Sequence, residues 1–161
     1  QALAGIITEA VTIIAETDKD AVDQRIADGY ILRENVYTDL EACIHHLENA
    51  RLAKEVITLT YHGNVVELLE YFVENNVKIE LGSDQTSLHN IDDMGYTPVD
   101  YTFEEAKKLM LSDRIGFKSA VEKSLIRHVK AVNAVTCKTC QRYKCTYCQR
   151  YVFLGLWKCI S

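Results

Sequence analysis

The chain carries one proline, Pro98, and its longest apolar run is the seven residues YVFLGLW at 151–157. A membrane-crossing helix needs about 20 such residues, so none is expected here. Cysteine is nearly missing from the first 130 residues, where Cys43 stands alone; the other five of six follow Val135. A body so poor in cysteine is what a reducing compartment permits. Acid is missing at the other end: past Ala131 there are Lys138, Arg142, Lys144, Arg150 and Lys158 and no Asp or Glu. That leaves 13 of the 18 basic residues against all 23 acidic ones in the body, which argues against nucleic acid as its partner. No basic-then-apolar leader follows Gln1, and the chain reads as cut from something longer.

What is present is alternation of two periods. Residues 1–10 place Leu3, Ile6, Ile7 and Ala10 on one helical face, and VTIIAE at 11–16 is a β-branched run closing on Glu16. Helices are predicted over 18–28, with Asp18 as N-cap and Gly29 past the end, and over 39–53. EVITLTYHG at 55–63 is the clearest strand, and NVVELLEYFVENN opens a helix on Asn64. VKIELGSD at 77–84 predicts another strand; Thr102 and Glu105 form a capping-box pattern, and a last helix is expected over 113–135. Strands alternating with helices predict an α/β fold, a parallel sheet flanked by helices.

In such sheets ligands gather outside the carboxyl ends of the strands. Three predicted strands end in polar clusters: Glu16, then His62-Gly63-Asn64, then Asp84-Gln85-Thr86-Ser87. Each has an ordinary alternative, as a solvated strand-end acid, a turn with a helix cap, or a self-stabilising polar turn. Together they point to one rim and one ligand. The other histidines read as structural: His45 and His46 as one exposed and one half-buried residue, His128 on a solvated or packing face. Arg25 and Tyr30 read as structural too, and Asp84 as a buried carboxylate bonded to its own loop.

The segments QALAGIITEAVTIIAETDKDAV, YHGNVVELLE, LGSDQTSLHN, GYTPV and SLIRHVKAVNAV resemble the urocanate hydratase (urocanase) family in its animal form, over residues 1–135. The DQTS-x-H segment with the following Gly-Tyr is the most specific part. The resemblance implies a Rossmann-like NAD+-binding domain of a homodimeric cytosolic enzyme. That enzyme adds water to urocanate to give imidazolone propionate, with NAD+ acting as an electrophile towards the substrate's imidazole. Carried over residue by residue, it implies cofactor contacts at Glu16, at Asn64 and Val65, at Gln85, Thr86, Ser87, Leu88 and His89, and at Tyr96 and Thr97. Leu88 and Thr97 depart from the family's usual residues, and Ala21 stands where part of the family has a cofactor-touching arginine. The family's first strand and glycine-rich turn are expected to precede Gln1. None of the six cysteines matches the family's catalytic one, so no catalytic residue is assigned.

Residues 136–161 form a Cys-rich basic tail with an eight-residue repeat, Cys137-x-x-Cys140-Gln-Arg-Tyr and Cys145-x-x-Cys148-Gln-Arg-Tyr. Paired C-x-x-C units suit a tetrahedral zinc ion, although four residues between pairs is short for a ribbon or finger. The interleaved Arg and Tyr also match single-strand nucleic-acid binders, and the abrupt change at Val135 also matches an altered reading frame or splice. The alternative to an enzyme portion is therefore an inactive truncated fragment, or a binding module with a four-cysteine zinc site in this tail.

Overall fold

The computed structural model describes residues 2–83, 91 and 94–143, with side chains as far as Thr136. The chain divides into two compact units, residues 1–68 and 69–161.

In the first unit, α1 (Ala2–Ile7) leads into β1 (Val11–Glu16). The expected helix over 1–10 is shorter because Glu9 takes a left-handed φ of 53°, which turns the chain out of the helix. Helix α2 (Lys19–Ala27) starts as predicted, with the Asp18 carboxylate accepting the Asp20 N–H, and Gly29 follows its end at φ 75°. A 3-10 turn, Arg33–Asn35, then delivers β2 (Val36–Tyr37), a strand of two residues whose pattern is too short to predict. Helix α3 (Leu40–Ala53) is capped by Asp39 and closed by Lys54 in the left-handed region; β3 (Ile57–His62) follows.

The sheet is parallel in the order β1-β3-β2. Parallel neighbours need a long crossover, which α3 supplies between β2 and β3. β3 is the middle strand, and its side chains from Thr58 to Tyr61 are all buried. Ala2, Ile14, Val22 and Ile31 form one apolar cluster, with Ile26 and Val36 packed on it. Cys43, Ile44, Leu47 and Ala50 give α3 a buried face at helical spacing.

The division falls within α4 (Val65–Glu74), after Leu68. In the second unit the strand expected over 77–84 does not form in its described part, 77–83. Lys78 and Glu80 are exposed and pair with each other at 2.7 Å. Helix α5 (Phe103–Ser112) carries the full capping box predicted from Thr102 and Glu105. Helix α6 (Arg114–Tyr143) starts one residue after the predicted start and runs eight residues past the predicted end at 135.

Tyr96, Ala106, Phe117 and Val121 make this unit's buried cluster. Arg127 forks onto Glu70, with Nε–Oε1 at 3.0 Å and Nη2–Oε2 at 2.7 Å, and reaches Asp100 at 3.1 Å. The guanidinium holds the Glu70 carboxyl below its ordinary value, and Arg127 is itself raised. The pair ties α6 to α4 within the unit.

Candidate functional site

Two of the three polar strand ends meet. In the β1–β3 ladder Glu16 stands opposite His62, so both strands finish level at the carboxyl edge of the sheet. The Gly63 N–H donates to the Glu16 carbonyl at 3.0 Å, and His62 Nε2 lies 3.3 Å from the Thr17 carbonyl oxygen. Both strand-to-helix turns are thereby bonded side by side.

The Glu16 carboxylate is held at both oxygens. Oε1 accepts the Asp18 N–H at 3.2 Å, and Oε2 lies 2.8 Å from Arg25 Nη1. That nitrogen is buried and close enough for an ion pair, yet it sits outside hydrogen-bond geometry, so the attraction is ionic without a directed N–H bond. A carboxylate has about four acceptor positions, which leaves room for two further donors. The side chain is 23% exposed, so those positions face a site that solvent or a ligand can enter.

At the neighbouring turn, Asn64 is buried and its Oδ1 accepts the Val66 N–H at 3.0 Å, the N-cap the sequence predicts. Glu67 Oε2 accepts the Asn64 N–H at 3.4 Å and the Tyr61 hydroxyl at 3.1 Å. Neither acceptor takes the N–H of Val65, the first helical residue, and first-turn N–H groups are where a helix attracts anions. Gly63 is required by packing: a Cβ there would lie 2.2 Å from Tyr61 Cζ. Burial, with Glu67 beside it, pushes the Tyr61 hydroxyl up to about 12. Burial, with Asp39 nearby, likewise pushes the Cys43 thiol up to about 12, which makes it a packing group and a poor nucleophile at neutral pH.

Gln85, Thr86, Ser87, Leu88 and His89, with Asp84, lie outside the described residues. Tyr96 and Thr97 belong to the second unit, where Tyr96 is buried beside the His128 ring, centroids 6.1 Å apart, and Thr97 is half-buried. His45 is exposed and His46 half-buried as expected, the latter 2.7 Å from the Tyr37 hydroxyl. His128 is buried, on the packing face.

Arg25, which the sequence reads as structural, stands next to the strand end, its guanidinium paired with the Glu16 carboxylate. Its position in the last turn of α2, nine residues after Glu16, was the available signal, but only the fold shows that the helix returns it to the strand end.

Among the described residues no group of three or more His, Cys, Asp or Glu is placed to hold a metal ion. The side chains of Cys137, Cys140, Cys145 and Cys148 lie outside that set. No helix among the described residues is long and apolar enough to cross a membrane.

Comparison with known proteins agrees with this architecture. The Urocanase Rossmann-like domain family matches residues 1–145. Proteins named urocanate hydratase from Mus musculus and Homo sapiens are each 44% identical over 138 residues, 83% of this chain. A probable urocanate hydratase from Caenorhabditis elegans is 39% identical over 140 residues, 86% of this chain. The chain spans only 20% of the length of each of these relatives. A parallel sheet flanked by helices, with a family match that takes in both of its carboxyl-edge turns, leads to one assignment: the chain belongs to the urocanase family, as its Rossmann-like domain.

Proposed function

We propose that this chain is the nucleotide-holding portion of a urocanate hydratase, with residues 1–135 as a partial NAD+-binding domain and 136–161 as a Cys-rich basic tail. The observation that carries the reading is the level finish of β1 and β3, which sets the Glu16 carboxylate beside the Asn64-capped start of α4. The donor set fits a dinucleotide. Two open acceptor positions on Glu16 suit the paired hydroxyls of a ribose, and the Val65 N–H suits a phosphate oxygen.

In this reading Glu16 binds ribose, and Asn64 and Val65 face the phosphates. Gln85, Thr86, Ser87, Leu88 and His89 form the loop over the cofactor, with Tyr96 and Thr97 following it. When bound, NAD+ supplies an electrophilic ring to the imidazole of urocanate, which the whole enzyme hydrates. This chain's own residues bind and orient the cofactor; none is assigned to catalysis, and the chain alone is expected to be inactive. The parent enzyme is a cytoplasmic homodimer acting in histidine breakdown, with no nucleic-acid or membrane partner. Family membership and the acidic, cysteine-poor body support this.

Calorimetric titration of NAD+ against the full chain tests the reading. Wild type is expected to bind, and Gln85→Ala to bind roughly 3- to 10-fold more weakly, the worth of one net hydrogen bond. No heat of binding in the wild type, or turnover of urocanate by this chain alone, would falsify the assignment.

A further inference from the structure

The geometry points to helix α6 as a clamp on the segment 96–100, with Arg127 and, one turn before it, Ser124 as positioning residues that set Thr97 against the bound nucleotide. Thr97 as a cofactor contact is taken from the nucleotide reading above, on which this role of Arg127 and Ser124 rests.

Three contacts pin the segment to α6. The Ser124 Oγ accepts the buried Val99 N–H at 3.0 Å and itself donates to the Ala120 carbonyl at 2.8 Å, so its one proton is committed. Arg127 reaches Asp100 through Nη1 at 3.1 Å, while its Nε and Nη2 fork onto Glu70 of α4 at 3.0 and 2.7 Å. The His128 ring lies 6.1 Å from that of Tyr96, inclined by 32°. Positions 124, 127 and 128 stand at helical spacing, so one stripe of the helix makes all three contacts. At the far end the Tyr101 N–H closes a turn by donating to the Pro98 carbonyl at 3.2 Å.

That pinning decides which side chain the segment can offer. Tyr96, Pro98 and Val99 are buried, and Tyr96 packs with Ala106, Phe117 and Val121. Asp100 is exposed, but its carboxylate accepts from Arg127 and would repel a phosphate. Between them Thr97 is half-buried, with a hydroxyl that can both donate and accept. So short a side chain adds affinity only where its backbone already stands in place, because ordering a loop consumes part of what binding gains. Arg127 supplies the stiffness. A planar guanidinium held bidentately by Glu70 is fixed in orientation, and it fixes Asp100 in turn. Arg127 thus acts on the nucleotide through Asp100, the backbone and Thr97, without touching it.

The experiment titrates NAD+ calorimetrically against the full chain, with thermal unfolding followed by circular dichroism on the same samples. The variants are Thr97→Ala, Arg127→Met, Arg127→Lys, Asp100→Ala, Ser124→Ala and the Thr97→Ala/Arg127→Met double variant. Thr97→Ala should weaken NAD+ by about 3- to 10-fold, the worth of one hydrogen bond. Arg127→Met and Arg127→Lys should fall alike within about the same range, because an ammonium keeps the charge but cannot fork onto Glu70 and reach Asp100 together. Asp100→Ala should weaken NAD+ while leaving the unfolding midpoint nearly where it was, since an exposed ion pair contributes little to stability. Ser124→Ala should lower both, as it orphans the buried Val99 N–H. The double variant should bind no more weakly than its weaker single variant, since both changes disable one contact.

Rescue of NAD+ affinity by Arg127→Lys overturns the clamp, because charge and not geometry would then be at work. Additive losses in the double variant overturn it too, since Arg127 would be acting by a route that bypasses Thr97. So does unchanged affinity in Arg127→Met and Asp100→Ala, the mark of contacts that only stabilise the fold, and so does wild-type affinity in Thr97→Ala. Should Arg127→Met fail to fold, the exposed Asp100→Ala carries the same decision. A wild-type chain that binds no NAD+ overturns the nucleotide reading and takes this inference with it, a result distinct from the others.

Discussion

The two turns that leave the sheet at its carboxyl edge share one plan and differ in chemistry. Each strand ends on a polar residue, passes one residue, and enters a helix through an Asx cap: Glu16-Thr17-Asp18 after β1, His62-Gly63-Asn64 after β3. The turns are bonded to each other through the Gly63 N–H and the Thr17 carbonyl. Around the first, charge collects: the Glu16 carboxylate, its Arg25 partner, and the Lys19–Asp23 pair one turn along α2. Around the second, charge is withdrawn into the protein. Asn64 is neutral and buried, and Glu67 spends one oxygen on Tyr61 and Asn64. The first turn therefore presents a carboxylate held by an ion pair, and the second a neutral, buried cap at the start of a helix.

The sharpest way to break the comparison is at the middle position. A methyl group on Gly63 would fall 2.2 Å from the Tyr61 ring, so either the ring or the β3–α4 backbone must move. Gly63→Ala is expected to cost about 3 kcal/mol in urea unfolding, the upper range for forcing atoms into a packed site. The equivalent change after β1, Thr17→Ala, keeps a Cβ that is already accommodated and should cost less than about 1 kcal/mol. Equal losses would mean that the two turns are not packed differently after all.

That contrast also shows what the sequence could and could not reveal. The caps at Asp18, Asn64 and Thr102 were readable because each side chain bonds a backbone N–H two or three residues on, and such contacts are fixed by local spacing. The strand predicted at 77–84 is not formed on its described part, 77–83, because alternation declares a face and does not by itself specify a ladder. β2 escaped notice for the opposite reason: two residues, Val36 and Tyr37, pair with Thr60 and Tyr61 without any periodic signature. The meeting of Glu16 with the Asn64 turn was legible from strand-end logic, since parallel strands deliver their ends to one edge. The Glu16–Arg25 pair was not, because it depends on the angle at which α2 returns over the strand.

Removing the caps sharpens the comparison at smaller amplitude. Asn64→Ala strips the Val66 N–H of its acceptor where that residue is fully buried, and water cannot replace it. An expected loss of about 2 kcal/mol combines the lost cap with the desolvated donor. Asp18→Ala removes the same kind of bond from the exposed Asp20 N–H, where water substitutes, and should cost about 1 kcal/mol or less. Chemical denaturation of both variants under one condition measures the difference directly.

The smallest effect is a pH signature belonging to the second turn alone. Tyr61→Phe deletes the hydroxyl that bonds Glu67 at 3.1 Å, a loss of about 1 kcal/mol at neutral pH. The native hydroxyl is pushed from its ordinary 10.0 to about 12, by burial first and Glu67 second. Folding therefore favours the protonated tyrosine. The stability it contributes is whole below pH 10 and is lost as pH rises towards 12. The β1–α2 turn behaves in the reverse sense. The Lys19 hydrogen bond lowers the Asp23 carboxyl from its ordinary 3.8, so that contribution is present above this value and fades as pH falls through the lowered one. Stability measured from pH 8 to 11.5 should fall less steeply in Tyr61→Phe than in wild type, while an Asp23→Asn variant should keep the wild-type alkaline slope. If Tyr61→Phe retained that slope, the withdrawal of polar groups into the β3–α4 turn would not be what distinguishes it from its neighbour.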